Sequence, residues 1–176
     1  MPPLTDPAGT AELSPHSLST LQELLSWYET NLCNVQLNDP RGYRVRFNVE
    51  DFVHLVKLTN KYGQEPKNRR LAIADIRRGN ISSESGRFDR QRALDLPRAR
   101  QISTRPDYIC PNWQGLGVGD EVYVKNFGSE AAPQYRVLVC KVRGTGRIAI
   151  TIFPRERIAQ RDIRNRIWPS KSQGGQ

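Results

Sequence analysis

The chain has 176 residues, the length of one domain with extensions, and only 37% of them are apolar, so some segments fall outside a packed core. Lys and Arg number 27 against 18 Asp and Glu, for a net charge of +9. No run approaches the roughly 18 apolar residues of a membrane span, and the N-terminus lacks the basic-then-apolar pattern of a signal peptide, so a cytoplasmic protein with no membrane partner is expected.

The charge is unevenly spread. Residues 1–40 carry Asp6, Glu12, Glu23, Glu29 and Asp39 and no Lys or Arg, which leaves 27 basic residues against 13 acidic ones in the remainder. Such an excess draws a polyanion through counterion release, nucleic acid foremost, against the plainer reading of a solvated basic surface. Cys33, Cys110 and Cys140 are widely spaced, with no CxxC pair or Cys/His cluster. They read as small core residues of a reducing compartment, with no metal and no cofactor implied.

In chain order, Met1–Leu13 is a loose Pro/Gly/Thr-rich tail. Leu18, Leu21, Leu25, Tyr28 and Leu32 recur at three- and four-residue spacing and predict a helix over Leu18–Leu32, capped by Ser14 or Ser17. Residues 1–40 then form a separable acidic segment. Tyr43-Arg44-Val45-Arg46-Phe47 alternates apolar and basic, as a half-exposed strand does. Asn48 and Asp51 suggest a capping box opening a helix over Val49–Asn60, with Val49, Phe52, Val53 and Val56 as its buried stripe. On that helix Glu50, His54, Lys57 and Lys61 would share a polar face. Lys61–Arg70 reads as a basic linker. Leu71–Arg78 reads as a short helix closed by Gly79, and Arg90–Leu96 as one capped by Asp89 and stopped by Pro97, with extended chain over Arg98–Pro106.

Three strands follow, Glu121–Phe127, Tyr135–Arg143 and Arg147–Phe153, the last two joined at Gly144-Thr145-Gly146. Alternation assigns Val122, Val124, Ile148, Ile150 and Ile152 to a buried face and Tyr123, Lys125 and Thr151 to a polar one. Glu156–Trp168 has a helical charge pattern, and Pro169–Gln176 is expected to be disordered. The expected domains are 1–40, 41–155 and a basic tail, 156–176.

Several stretches carry a resemblance: Arg46–Lys57, Phe88–Ala93, Pro106–Ile109, Val122–Lys125 and Ile148–Pro154. In that order they resemble the phage-associated branch of the barnase–EndoU–colicin–RelE nuclease superfamily, over roughly residues 43–155. The resemblance implies an α+β fold, with N-terminal helices packed on a small antiparallel sheet of about four strands. It also implies a metal-independent endoribonuclease, a toxin or an effector of a phage or mobile element, that acts in the cytoplasm or is delivered into a target cell. RNA, tRNA or mRNA, would be the substrate, and an immunity or antitoxin protein a further partner. By the same resemblance His54 is the acid/base, Lys57 the phosphate partner and Thr151 a hydroxyl near the site, with Tyr123, Lys125 and Arg136 lining the groove. The chemistry is 2′-OH transesterification, which asks for a group titrating near neutrality and a cation at the phosphate. Where the family has a second His or basic residue soon after the Lys, this chain has Leu58-Thr59-Asn60. Two other functions stay open: a nucleic-acid-binding module of this fold without turnover, and a protein-interaction or inhibitor role.

Overall fold

The computed structural model describes residues 20–81, 86–111 and 120–170. The expectations for Met1–Leu13, for Ser14 and Ser17, and for the last six residues lie outside these. The chain divides into two compact units, residues up to Val35 with Phe47–Arg98, and Gln36–Arg46 with the chain from Ala99 onward.

The first unit is helical. Helix α1 (Leu21–Tyr28) starts at Thr20, whose hydroxyl accepts from the Glu23 amide, and runs on as a π-turn over Glu29–Cys33. Leu24, Leu25, Tyr28 and Leu32 are all buried, and the Tyr28 hydroxyl donates to the Asn48 carbonyl at 2.7 Å. Residues 21–32 of the expected acidic segment thus contribute to the core. A 3₁₀ turn (Val49–Asp51) leads into the single turn of α2 (Phe52–Leu55), which buries Phe52, Val53 and Leu55. The expected capping box does not form; Asn48 Nδ2 instead donates to Asp51 Oδ2. Helix α3 (Arg69–Arg77) is capped by Asn68 and starts two residues before the expected Leu71, inside the expected linker, while Gly79 follows it at φ +70° as its pattern predicted. Helix α4 (Arg90–Asp95) is capped by Asp89.

Beyond α4 the expectation of extended chain fails. Pro97 lies in a 3₁₀ turn (Leu96–Arg98) and helix α5 (Ala99–Thr104), in the second unit, follows at once. Proline's fixed φ suits the first turn of a helix, so here it starts one helix rather than ending another.

The second unit is built on a sheet. Its strands are β1 (Leu37–Asn38), β2 (Arg44–Arg46), β5 (Tyr108–Pro111), β6 (Asp120–Asn126), β7 (Tyr135–Arg143) and β8 (Gly146–Arg155); β3 (Thr59–Asn60) and β4 (Gly86–Arg87) pair separately in the first unit. The order is β1-β2-β8-β7-β6-β5, antiparallel except where β2 runs parallel to β8. The α+β class holds, but the sheet is mixed and six-stranded rather than four-stranded and antiparallel. Four consecutive antiparallel strands are present, and residues 37–46 add two more at the β8 edge.

Register corrects the face assignment. One row runs Ile109–Tyr123–Leu138–Ile152, and the next Cys110–Val122–Val139–Thr151. Beyond Val139 the pairing slips, so that Cys140 faces Ala149 and Ile150 is the extra, bulged residue on β8. One inserted residue inverts the alternation, because side chains switch faces every residue. Ile152 therefore lies with Tyr123, and Thr151 with Val122, the reverse of the simple alternating reading. Val122, Val124 and Ile152 are buried, whereas Ile148 and Ile150 are half-buried. The core on the Val122 face also takes in Val137, Val139, Cys110 and Ile158, the last from the supposed basic tail. That tail goes on into α6 (Gln160–Arg164) and pairs Trp168 with Ile109.

The turn between β1 and β2 is fastened to the sheet by charge. Glu121 accepts two hydrogen bonds from Arg147, at 2.9 and 3.0 Å, and two from Arg41, at 2.6 and 3.2 Å. Arg41 also bonds Asp39 Oδ2, which in turn accepts from the Tyr123 hydroxyl at 2.7 Å. The Tyr43 ring lies against both guanidiniums, with centroid distances of 4.8 Å to Arg41 and 4.2 Å to Arg147. Two cations and two anions make the cluster neutral, which is the condition for burying it. Burial alone would raise the Glu121 and Asp39 carboxyls, but the bonds from Arg41, Arg147 and Tyr123 outweigh it and hold both below their ordinary values.

Because these carboxyls titrate lower when folded than unfolded, their contribution is complete above the ordinary carboxylate range near pH 4 and is lost as pH falls through the folded values. We predict that Glu121→Gln, which leaves two buried guanidiniums underpaired, costs about 3–5 kcal/mol at pH 7 in urea unfolding. The gap to wild type should narrow as the pH drops below about 4. A gap that is small at pH 7, or that widens in acid, would contradict the arrangement.

Candidate functional site

His54 sits in the single turn of α2, fixed by its buried neighbours Phe52, Val53 and Leu55. The side chain is 38% exposed, and Nδ1 lies 3.0 Å from Glu65 Oε2. Glu65 reaches it because the chain doubles back at Asn60–Gln64. There Asn60 Oδ1 accepts from the Tyr62 and Gln64 amides, and Gly63 takes φ +76°. Arg69 completes the group, donating to Glu65 Oε1 at 3.0 Å and to Asp51 Oδ1 at 2.9 Å. Partial burial works against ionising Glu65, but the His54 bond and the Arg69 charge prevail and lower its carboxyl.

A carboxylate on Nδ1 favours the tautomer in which Nε2 carries the lone pair. Nε2 has no hydrogen-bond partner among the described residues. The ring can thus accept a proton at Nε2 while Glu65 holds its orientation through Nδ1. A recess of about 330 Å³ opens in the same unit, lined by residues that include Leu58, Thr59, Asn60, Lys67, Asn68 and Leu71. Its size is that of a small-ligand pocket.

Lys57 departs from the sequence reading. The helix ends at Leu55, so Lys57 is not on a shared helical face with His54. It is the residue past the cap, at φ +51°, the one non-glycine residue at positive φ among those described. The Leu58 amide donates to the Val53 carbonyl and the Lys57 amide to that of His54, the paired bonds of a Schellman end. This closure turns Leu58 into the core, where it is buried. Glycine is usual at that position, and a side chain there is strained. The lysine side chain is exposed.

The other four candidates belong to the second unit. Tyr123 is buried, its hydroxyl committed to Asp39 and within 3.1 Å of Arg41, so it is a structural residue rather than a groove wall. Thr151 is half-buried on the opposite sheet face from Tyr123 and Lys125. Lys125 and Arg136 are cross-strand neighbours. Lys125 Nζ donates to the Arg105 carbonyl at 2.8 Å, with Asp107 at 4.0 Å, while Arg136 Nη1 donates to the Tyr135 carbonyl. The structure therefore gathers Lys125 with Arg136 and separates Thr151 from both. Glu65 and Arg69 were missed at sequence level. The signal that leads to them is the Asn60…Gly63 turn, which returns the chain to α2.

No thiol competes as nucleophile. Burial pushes Cys33 and Cys110 up to about 11 and raises Cys140 further, so all three stay protonated near neutrality. Among the described residues no group of three or more His, Cys, Asp or Glu comes together, and no helix is long and apolar enough to cross a membrane. In comparisons with known proteins, no family model, no curated protein and no solved structure matches this chain.

The strain at Lys57 is open to measurement. We predict that Lys57→Gly raises stability by about 1 kcal/mol, seen as a higher urea midpoint, because glycine adopts positive φ without a Cβ penalty. A lower midpoint would show that the lysine side chain stabilises the fold in some other way.

Proposed function

We propose that the protein is an endoribonuclease that cleaves RNA without a metal, by attack of the ribose 2′-OH on the adjacent phosphate, and that it serves as a toxin or a phage or mobile-element effector. The observation that supports this most is the His54–Glu65 pair, which leaves Nε2 unbonded on a partly exposed ring. In this reading Nε2 removes the 2′-OH proton, and the imidazolium then returns a proton to the leaving 5′-oxygen. Glu65 holds the ring's tautomer and orientation, as a positioning residue, and Arg69 holds Glu65. The exposed ammonium of Lys57, three residues beyond His54, supplies positive charge to the phosphate. Lys125 and Arg136, cross-strand neighbours on one sheet face, would contact the RNA backbone. An immunity or antitoxin protein would hold such an enzyme in check.

The expected result of expression in a bacterial host is growth arrest by the wild type and tolerance of His54→Ala. In vitro His54→Ala should lose about 10²–10⁴ in cleavage rate, with RNA affinity nearly unchanged. Lys57→Ala should lower both rate and affinity, since its charge acts on bound and transition states alike. Full activity in His54→Ala would refute the assignment. Tight RNA binding by the wild type with no cleavage would point instead to a binding module.

A further inference from the structure

Along β2 the sequence Arg44-Val45-Arg46 buries Val45 and exposes both arginines on one face. The register continues that face across the sheet. One row reads Arg44–Gly146–Arg143, and the next Arg46–Ile148–Lys141. Arg44 and Arg143 are two strand spacings apart, roughly 10 Å, with only the hydrogen of Gly146 between them. The result is an open trough of about 490 Å³, also lined by Tyr43, Gln36 and Asn38.

Four cations on one patch repel each other and weaken the sheet that carries them. None of Arg44, Arg46, Lys141 and Arg143 has a carboxylate within salt-bridge distance among the described residues, and all four are exposed. Several arginines elsewhere are matched: Arg41 and Arg147 with Glu121, Arg69 with Asp51 and Glu65, Arg77 with Glu29. The buried network beneath Tyr43 spends its charges internally, so it neither neutralises the trough nor adds to it. A concave floor without side chain, flanked by guanidiniums that form paired bonds to phosphate oxygens, is a phosphate-binding shape.

We propose that this trough is a binding track for the phosphodiester backbone of a single nucleic-acid strand. It goes beyond the His54 reading, since it lies on the sheet of the second unit and uses residues with no part in proton transfer. Contacts of this type fix position and supply affinity without reading bases.

The test is binding of labelled 20-nucleotide RNA and DNA single strands by fluorescence anisotropy over a salt series. DNA lacks the 2′-OH, so its binding reports on the trough whether or not the protein cleaves RNA. The variant Arg44→Gln/Arg46→Gln/Arg143→Gln should bind both strands at least tenfold more weakly at low salt. Its plot of log affinity against log salt should flatten by about 2, or about 0.7 for each lost phosphate contact. Gly146→Val leaves charge unchanged and fills the floor; its Cβ would stand 3.4 Å from the Arg143 carbonyl, an ordinary contact. It should weaken binding severalfold. A control with the same charge change, Arg70→Gln/Arg78→Gln/Arg157→Gln, should stay close to wild type. Should the trough triple variant unfold, the single substitutions carry the same slope reading. The proposal is overturned if the wild type binds neither strand, or if the control triple loses as much as the trough triple. It is also overturned if poly-glutamate binds the wild type as tightly as RNA and the trough triple abolishes this, which would assign the surface to an acidic protein.

Discussion

A single carboxylate organises the second unit. Glu121 sits nearly buried on β6 and accepts hydrogen bonds from Arg41 in the β1–β2 turn and Arg147 on β8. Removing water from such a group is costly unless its lone pairs are filled, and two guanidinium forks fill them. The geometry then dictates several things at once. Arg147 must lie on the Tyr123 face of β8, which the bulge at Ile150 permits. The Asp39–Gly42 turn must close against the sheet, and β2 is thereby set beside β8 in parallel, with Val45 inward and both flanking arginines outward. The exposed cationic surface is a consequence of how the buried charges are satisfied.

The first unit rests on shorter-range logic. One helical turn carries His54, and a left-handed residue ends it so that Leu58 can be buried. The strain at Lys57 is a cost at a position where glycine would be easier, beside the His–Glu pair. Native proteins tolerate such costs chiefly where a side chain is needed for something other than folding.

Much of this was legible in the residues. The amphipathic spacing of Leu21, Leu25, Tyr28 and Leu32, the caps at Asp89 and Gly79, and the turn at Gly144-Thr145-Gly146 are local signals, and each produced its element. The Arg-Val-Arg alternation of β2 also read correctly. What failed was non-local or one residue deep. The bulge at Ile150 is invisible to alternation, yet it moves Thr151 and Ile152 to opposite faces from those expected. The helix stop at Lys57 carries no glycine to announce it. Pro97 reads equally as a stop or a start, and only packing decides. Tyr123 looked like a groove residue because its hydroxyl partner, Asp39, is 84 residues away. The His54–Glu65 contact spans 11 residues and depends on a turn whose direction spacing alone does not give.

The claim that His54 performs acid–base chemistry on RNA is most directly tested by the ends of the product. Purified protein incubated with a defined RNA in EDTA should leave 2′,3′-cyclic phosphate and 5′-hydroxyl termini, and His54→Ala prepared in parallel should leave the RNA intact. Cleavage that requires Mg²⁺, that yields 5′-phosphate ends, or that persists undiminished in His54→Ala would contradict it.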